Sequence, residues 1–215
     1  MAVILLYAIT DEKLIPRGKF LKVVESALAG GVNILQLRDK TTPDSEILPL
    51  ARELKALCDQ YRVIFVVNDR LEMALELGAG LHLGDEDVPV ALARRKMGPD
   101  AIIGRSCHDN LSLALSARNE GASYAAFGPV YPTPTKPGLP GIGLDILDQA
   151  KEALDFPFAA IGGIDETNIR EVAAKEPWAI CVIRAVFARP DPGEAAAGLR
   201  ELIAMQNNNQ WTITR

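Results

Sequence analysis

YAAFGPVYPTPTKPG, Tyr124–Gly138, opens as an apolar run, stops at a Gly-Pro pair and passes into a proline-ruled loop. Tyr124–Val130 reads as a strand. Pro132, Pro134 and Pro137 fix φ at closely spaced positions, and neither a strand nor a helix continues through them. So stiff a loop displays the hydroxyls of Thr133 and Thr135 and the ammonium of Lys136 in a nearly preset shape. An anion, most simply a phosphate, would bind there with little further loss of chain entropy. A surface loop with a merely solvated lysine is the alternative, and the rest of the chain decides between the two.

Working outward, the same handover recurs. Apolar runs lie at Val3–Ile9, Ile34–Leu37, Val63–Val67, Gly80–Leu83, Ala101–Gly104, Phe158–Ile161 and Ala179–Ile183, which with Tyr124–Val130 makes eight. They are near-continuous rather than alternating, as expected of strands covered on both sides. Between them apolar residues fall at helical spacing: Phe20, Val23, Val24, Ala27 and Leu28 in the first stretch, Ile47, Leu50, Ala51, Leu54 and Leu57 in the second, Ala195, Leu199, Leu202 and Ile203 in the last. Several helices are expected to end at a glycine that takes the left-handed cap, at Gly30-Gly31, Gly78 and Gly121. Eight strand–helix units of about 27 residues predict an α/β fold, a single (β/α)8 TIM barrel with parallel strands. Residues 1–206 form the barrel and 207–215 a polar C-terminal tail. An open doubly wound sheet is the competing architecture, but no GxGxxG follows the first strand.

Composition sets outer bounds. At 215 residues the chain suits one domain, and 48% apolar residues supply a core. A net charge of -5 argues against a general nucleic-acid binder, though not against small anions in a locally basic cleft. Cys58, Cys107 and Cys181 are odd in number and lack metal-site spacing, so they read as buried or semi-buried thiols of a reducing compartment. MAVILLYAIT has no basic residue before its apolar run and is too short to span a bilayer. The expectation is a cytoplasmic protein with small-molecule substrates, no nucleic-acid or membrane partner, and room for a homo-oligomer.

In such barrels the chemistry gathers where strands end at their C-termini. After strand two, Gln36, Arg38 and Lys40 share one face by the period of two and point into the mouth. An Arg fork and a Lys point charge together suit a pyrophosphate; the alternative pairs Arg38 with Asp39 or Asp69. Strand three ends in Asn68-Asp69-Arg70, and strand four leads into Gly84-Asp85-Glu86-Asp87. Carboxylates at neighbouring strand ends beside a diphosphate are what a hydrated Mg²⁺ needs, and Asp69 and Asp87 are the candidate ligands. Asp85 and Glu86 read equally as first-turn residues of the next helix. After strand five, Ser106 offers a hydroxyl to phosphate, His108-Asp109 a base and its orienter, and Asp109 alternatively a helix cap. After strands seven and eight, Gly162-Gly163 and Ile183-Arg184 stand where these barrels hold a monophosphate.

Together QLRDK (Gln36–Lys40), VNDR (Val67–Arg70), LHLGDED (Leu81–Asp87), GRSCHD (Gly104–Asp109), GPVYPTPTK (Gly128–Lys136) and AIGGI (Ala160–Ile164) resemble the thiamine phosphate synthase (thiamine-phosphate pyrophosphorylase) family, from Tyr7 to Ala188. The resemblance implies joining 4-amino-2-methyl-5-(hydroxymethyl)pyrimidine diphosphate to a thiazole phosphate, with Mg²⁺, to give thiamine monophosphate and pyrophosphate. It implies that Gln36, Arg38, Lys40 and Asn68 hold the pyrimidine diphosphate, and that Asp69 and Asp87 hold Mg²⁺. Ser106 and Lys136 would contact the diphosphate and leaving group, and Thr133, Thr135 and Gly163 the thiazole phosphate. Arg38, Lys40, Ser106 and Lys136 are the candidate catalytic residues. One position departs: where the family often has Ser after the eighth strand, this chain has Arg184. Rival readings are a thiazole tautomerase using His108, a Schiff-base aldolase using Lys136 or Lys40, and a non-catalytic thiamine-phosphate binder.

Overall fold

The computed structural model describes residues 3–134, 138 and 140–209, with side chains to 205. Thr135 and Lys136 lie outside the described residues. Eight parallel strands, numbered in chain order, close into a barrel with neighbours in sequence paired throughout: β1 Leu5–Ile9, β2 Ile34–Leu37, β3 Ile64–Asn68, β4 Gly80–Leu83, β5 Ile103–His108, β6 Tyr124–Phe127, β7 Phe158–Ile161 and β8 Ala179–Val182. β1 pairs with β8, Leu5 opposite Ala179, which removes the last open edge. The helices are α1 Phe20–Ala29, α2 Asp44–Tyr61, α3 Leu71–Leu77, α4 Val90–Met97, α5 Leu111–Asn119, α6 Asp145–Ala153, α7 Ile169–Ala173, α8 Arg184–Phe187 and α9 Pro192–Asn209. Among the described residues no helix is long and apolar enough to cross a membrane.

The strand period of two divides the apolar residues into two cores. Leu6, Ala8, Leu35, Val67, Leu81, Leu83 and Ile180 face outward and pack beneath the helices. Tyr7, Ile9, Ile34, Val66, Tyr124, Ala126, Ala159, Ala179 and Cys181 fill the barrel itself. The interior is built of unequal partners: Gly104 leaves room for the rings of His82 and Tyr124, and Gly80 packs against Ile102 and Val66, as close packing demands.

The elements differ from the sequence reading in five places. β5 does not stop at Gly104 but continues through Arg105-Ser106-Cys107-His108, with a register shift between Ser106 and His108. An apolar run marks only its start, because the second half faces the mouth and is polar. α5 is capped by Asn110, whose side chain accepts from the Leu113 amide, and not by Asp109. α4 starts after Pro89, so neither Asp85 nor Glu86 lies in its first turn. β8 ends at Val182, and Arg184 opens the short α8, an element with too few residues to show helical periodicity. α9 runs on through Asn207–Asn209, where the sequence reading begins the tail. The three cysteines are free and buried, and burial pushes the thiols of Cys58 and Cys107 up to about 12 and about 11, which leaves them unreactive.

Candidate active site

The C-terminal ends of the strands surround a cavity of about 700 Å³. Gln36, Arg38, Lys40, Asn68, Asp69 and Asp87 line one side of it. Ser106, Thr133, Gly163, Ile183 and Arg184 line it as well. Every candidate within the described residues therefore reaches one concave space.

Gln36 is the last inward residue of β2, opposite Ile9 and Val66. It is buried, and its amide donates to the Tyr7 hydroxyl at 2.7 Å. Arg38 lies one step beyond the strand, and Thr10 holds it there: Thr10 Oγ1 accepts from the Arg38 amide at 3.0 Å and donates to its carbonyl at 3.3 Å. The pairing of Arg38 with Asp39 or Asp69 does not occur. Asp39 instead accepts from the amides and hydroxyls of Thr41 and Thr42. Burial pushes its carboxyl up, and those four donors together pull it below its ordinary range. Arg70 completes this turn by donating to the carbonyls of Asp39 and Thr42 and pairing with Asp44, so it is structural.

Lys40 meets Asp69 at 3.2 Å, with more than half of the lysine side chain in solvent. So exposed a pair is worth about 1 kcal/mol or less, against about 1.5–3 kcal/mol for a hydrogen bond to a charged group. Little free energy therefore holds Lys40 to Asp69 against another anion. An exposed, paired lysine is not the desolvated nucleophile a Schiff base needs, so the aldolase reading loses Lys40.

Asp69 sits at φ 65, which turns its side chain back toward β4. Its carboxyl contacts that of Asp87, while Asp87 Oδ2 accepts from the Gly84 amide at 2.6 Å. Burial, then the Asp87 carboxylate, raises Asp69 above the usual carboxylate range, with Lys40 opposing. Two apposed carboxylates at a half-open rim are an arrangement that a divalent cation relieves. Among the described residues no group of three or more metal-ligating side chains assembles. An ion here would rest on two carboxylates, its own water and phosphate oxygens, which is the habit of Mg²⁺.

Opposite, the loop after β6 is pinned onto the end of β7. Val130 and Tyr131 donate their amides to the carbonyls of Ile161 and Gly162, at 2.9 and 3.0 Å. Asn168 donates to the Gly163 carbonyl and receives the Asp165 amide, fixing the Gly-Gly turn. Pro132 and Tyr131 thereby pack on Gly163, Thr133 follows them into the same cavity, and Arg184 stands exposed on its rim.

Sequence reasoning missed one pairing and several contributors. His108, at φ 53, is oriented by Asp85 and not by Asp109: His108 Nε2 and Asp85 Oδ2 are 2.8 Å apart. Arg105 binds the other oxygen of Asp85 at 2.8 Å, and Arg105 first, then His108, holds that carboxyl low. Arg189 pairs with Glu166 at the rim. Tyr7 and His82 line the bottom of the cavity, and Tyr124 is buried between them. The available signal for those three was a polar or amphipathic residue at inward parity within an apolar strand.

The family model described as thiamine monophosphate synthase matches residues 6–186. A thiamine-phosphate synthase of Thioalkalivibrio sulfidiphilus is 48% identical over 182 residues, 84% of this chain and 85% of that protein. One of Thermosynechococcus vestitus is 43% identical over 87% of this chain, which spans about half, 53%, of that longer relative. The solved thiamine phosphate pyrophosphorylase of Pyrococcus furiosus superposes with a TM-score of 0.85 at 35% identity, over 95% of this chain and 98% of the other. Matched in sequence along its barrel and in structure over nearly its whole length, the chain belongs to the thiamine monophosphate synthase family.

Proposed function

We propose that the protein is a transferase, a thiamine phosphate synthase that joins 4-amino-2-methyl-5-(hydroxymethyl)pyrimidine diphosphate to a thiazole phosphate, with Mg²⁺, giving thiamine monophosphate and pyrophosphate. The carrying observation is the single cavity that collects Arg38, Lys40, Asp69 and Asp87 on one side and Thr133 and Gly163 on the other. It offers one end to a diphosphate with its cation and the other to a monophosphate. Membership of the family supports the same reading.

In this reading Gln36 and Asn68 orient the aminopyrimidine, while Arg38, Lys40 and Ser106 grip the diphosphate. In this reading Lys136 adds its charge to the same group. The CH₂–O bond breaks with its electron pair leaving on pyrophosphate, and the aminopyrimidine ring donates electron density to the resulting pyrimidine-methyl cation. The thiazole nitrogen, held through its phosphate by Thr133, Thr135, Gly163, Ile183 and Arg184, supplies the lone pair for the new N–CH₂ bond. Magnesium on Asp69 and Asp87 would supply charge neutralisation for the departing pyrophosphate. Charge on the leaving group is met by fixed cations and donors, so catalysis rests on positioning and electrostatics, without a protein nucleophile.

The direct test incubates the purified protein with both substrates and Mg²⁺ and follows thiamine monophosphate and pyrophosphate; absence of both products refutes the reading. Lys136→Ala is expected to lower kcat by about 10²-fold or more, as for loss of one electrostatic donor to a developing charge. A change confined to KM would assign Lys136 to binding alone.

A further inference from the structure

Beneath the cavity, inward side chains of five strands form an unbroken chain of hydrogen bonds. Gln36 Nε2 donates to the Tyr7 hydroxyl at 2.7 Å, and the Tyr7 and Tyr124 hydroxyls lie 2.9 Å apart. The Tyr124 hydroxyl is 2.9 Å from His82 Nδ1, and His82 Nε2 is 2.9 Å from Ser106 Oγ. Gln36 and Ser106, the two ends, face the cavity on different strands. Tyr7, Tyr124 and His82, the middle, have no part in the binding scheme above.

With the Gln36 amide nitrogen set toward Tyr7, the chemistry of the donors gives the chain one direction. An amide nitrogen only donates, so the Tyr7 oxygen accepts and sends its own proton to Tyr124. Tyr124 in turn donates to Nδ1 of His82, which must be bare. The imidazole proton then lies on Nε2 and goes to Ser106 Oγ. The one proton the chain does not consume is that of the Ser106 hydroxyl.

We propose that Tyr7, Tyr124 and His82 are positioning residues of a one-way hydrogen-bond relay, which holds the Gln36 carbonyl toward the cavity as an acceptor and presents Ser106 to it as a donor. Reversing the amide would reverse every link and leave Ser106 facing a diphosphate as an acceptor, lone pair against lone pair. That choice of sense rests on the function proposed above. Two further observations support it. Burial raises both tyrosine hydroxyls far above their ordinary range, so they keep the protons the relay needs. And Gly104 leaves the space in which the rings meet: a Cβ there would lie 2.1 Å from Tyr124 Cζ and 2.6 Å from His82 Nδ1.

The test has two arms, neither of which uses turnover. In the first, the full chain carrying ¹⁵N-histidine is examined by NMR at pH 8; its two histidines, His82 and His108, are distinguished with His108→Gln. His82 is expected as the Nε2–H tautomer, shifting to a mixture in Tyr124→Phe; a proton on Nδ1 in the unmodified chain overturns the relay. In the second, calorimetry measures binding of inorganic pyrophosphate with Mg²⁺. Tyr124→Phe is expected to weaken it about threefold to tenfold, but by less than about twofold in a Ser106→Ala background, because the effect travels through Ser106. Equal losses in both backgrounds would show a packing role and overturn the proposal. If Tyr124→Phe does not fold, Tyr7→Phe takes its place in both arms. A chain that makes no thiamine monophosphate yet shows the Nε2–H tautomer refutes the proposed function and leaves the relay intact.

Discussion

Asp69→Ala is expected to lose Mg²⁺-dependent coupling by at least about 10²-fold in kcat, and Asp87→Ala by a similar factor, because each removes half of a two-carboxylate cation site. The measurement is pyrophosphate release at saturating substrates across a Mg²⁺ titration. Asp69 also holds Lys40 and sits at positive φ, where alanine adds backbone strain of about 1 kcal/mol or more. Asp69→Asn separates these effects, since asparagine tolerates the left-handed conformation and keeps the shape while removing the charge. The cation reading expects Asn to fail almost as badly as Ala. An undiminished rate in either the Asp69 or the Asp87 variant would take that residue out of the metal site.

The second large effect is expected at Gly163. Its φ of +66 is one that L side chains rarely adopt, and a Cβ there would lie 2.7 Å from the Pro132 carbonyl oxygen and from Tyr131 Cβ. Neither neighbour is the free end of a flexible chain, so the loop after β6 must lift. Gly163→Ala should lower kcat/KM for the thiazole phosphate by about 10²-fold, the scale of an ångström-sized misplacement. It should also reduce Tm, through strain of about 1–3 kcal/mol. A lower Tm with unchanged KM for the thiazole phosphate would detach Gly163 from that subsite.

The barrel was legible because its strands are covered on both faces and so appear as bare apolar runs. Ile34–Leu37, Gly80–Leu83 and Phe158–Ile161 match the observed strands at both ends. β5 was half hidden for the converse reason. Once a strand rises into the mouth its inward residues turn polar, and Arg105–His108 reads as loop although it pairs with β6 through a register shift. α8 is too short for any periodicity to declare it, which is why Arg184 moved from a strand end to a helix start.

For the site, period-two parity placed Gln36 correctly, and strand ends supplied Arg38, Lys40, Asn68, Asp69 and Ser106 to the cavity. Partners were harder to foresee. Asp39 follows Arg38 directly, yet it folds back onto Thr41 and Thr42. His108 bonds to Asp85, a residue from the preceding strand-end loop, while its neighbour Asp109 stands aside. Adjacent residues at a strand end face apart, whereas those on adjacent strands face one another, and a linear sequence shows only the first relation. The residues beneath the cavity were overlooked because Tyr7 and Tyr124 count as apolar in any pattern scan, although their hydroxyls organise the polar interior.

Pairing of the first strand with the last has a consequence for biosynthesis. While the ribosome is still working, β1 has only β2 to hold it, and its other edge waits until Ala179–Val182 has been made. α1 likewise lacks its cover until α9 emerges, when the Gly193 amide reaches the Ser26 hydroxyl at 3.1 Å. The nascent polypeptide must therefore carry a half-built ring with an unpaired border through most of translation, and ring closure is a late, post-emergence event governed by the most distant contacts in the chain.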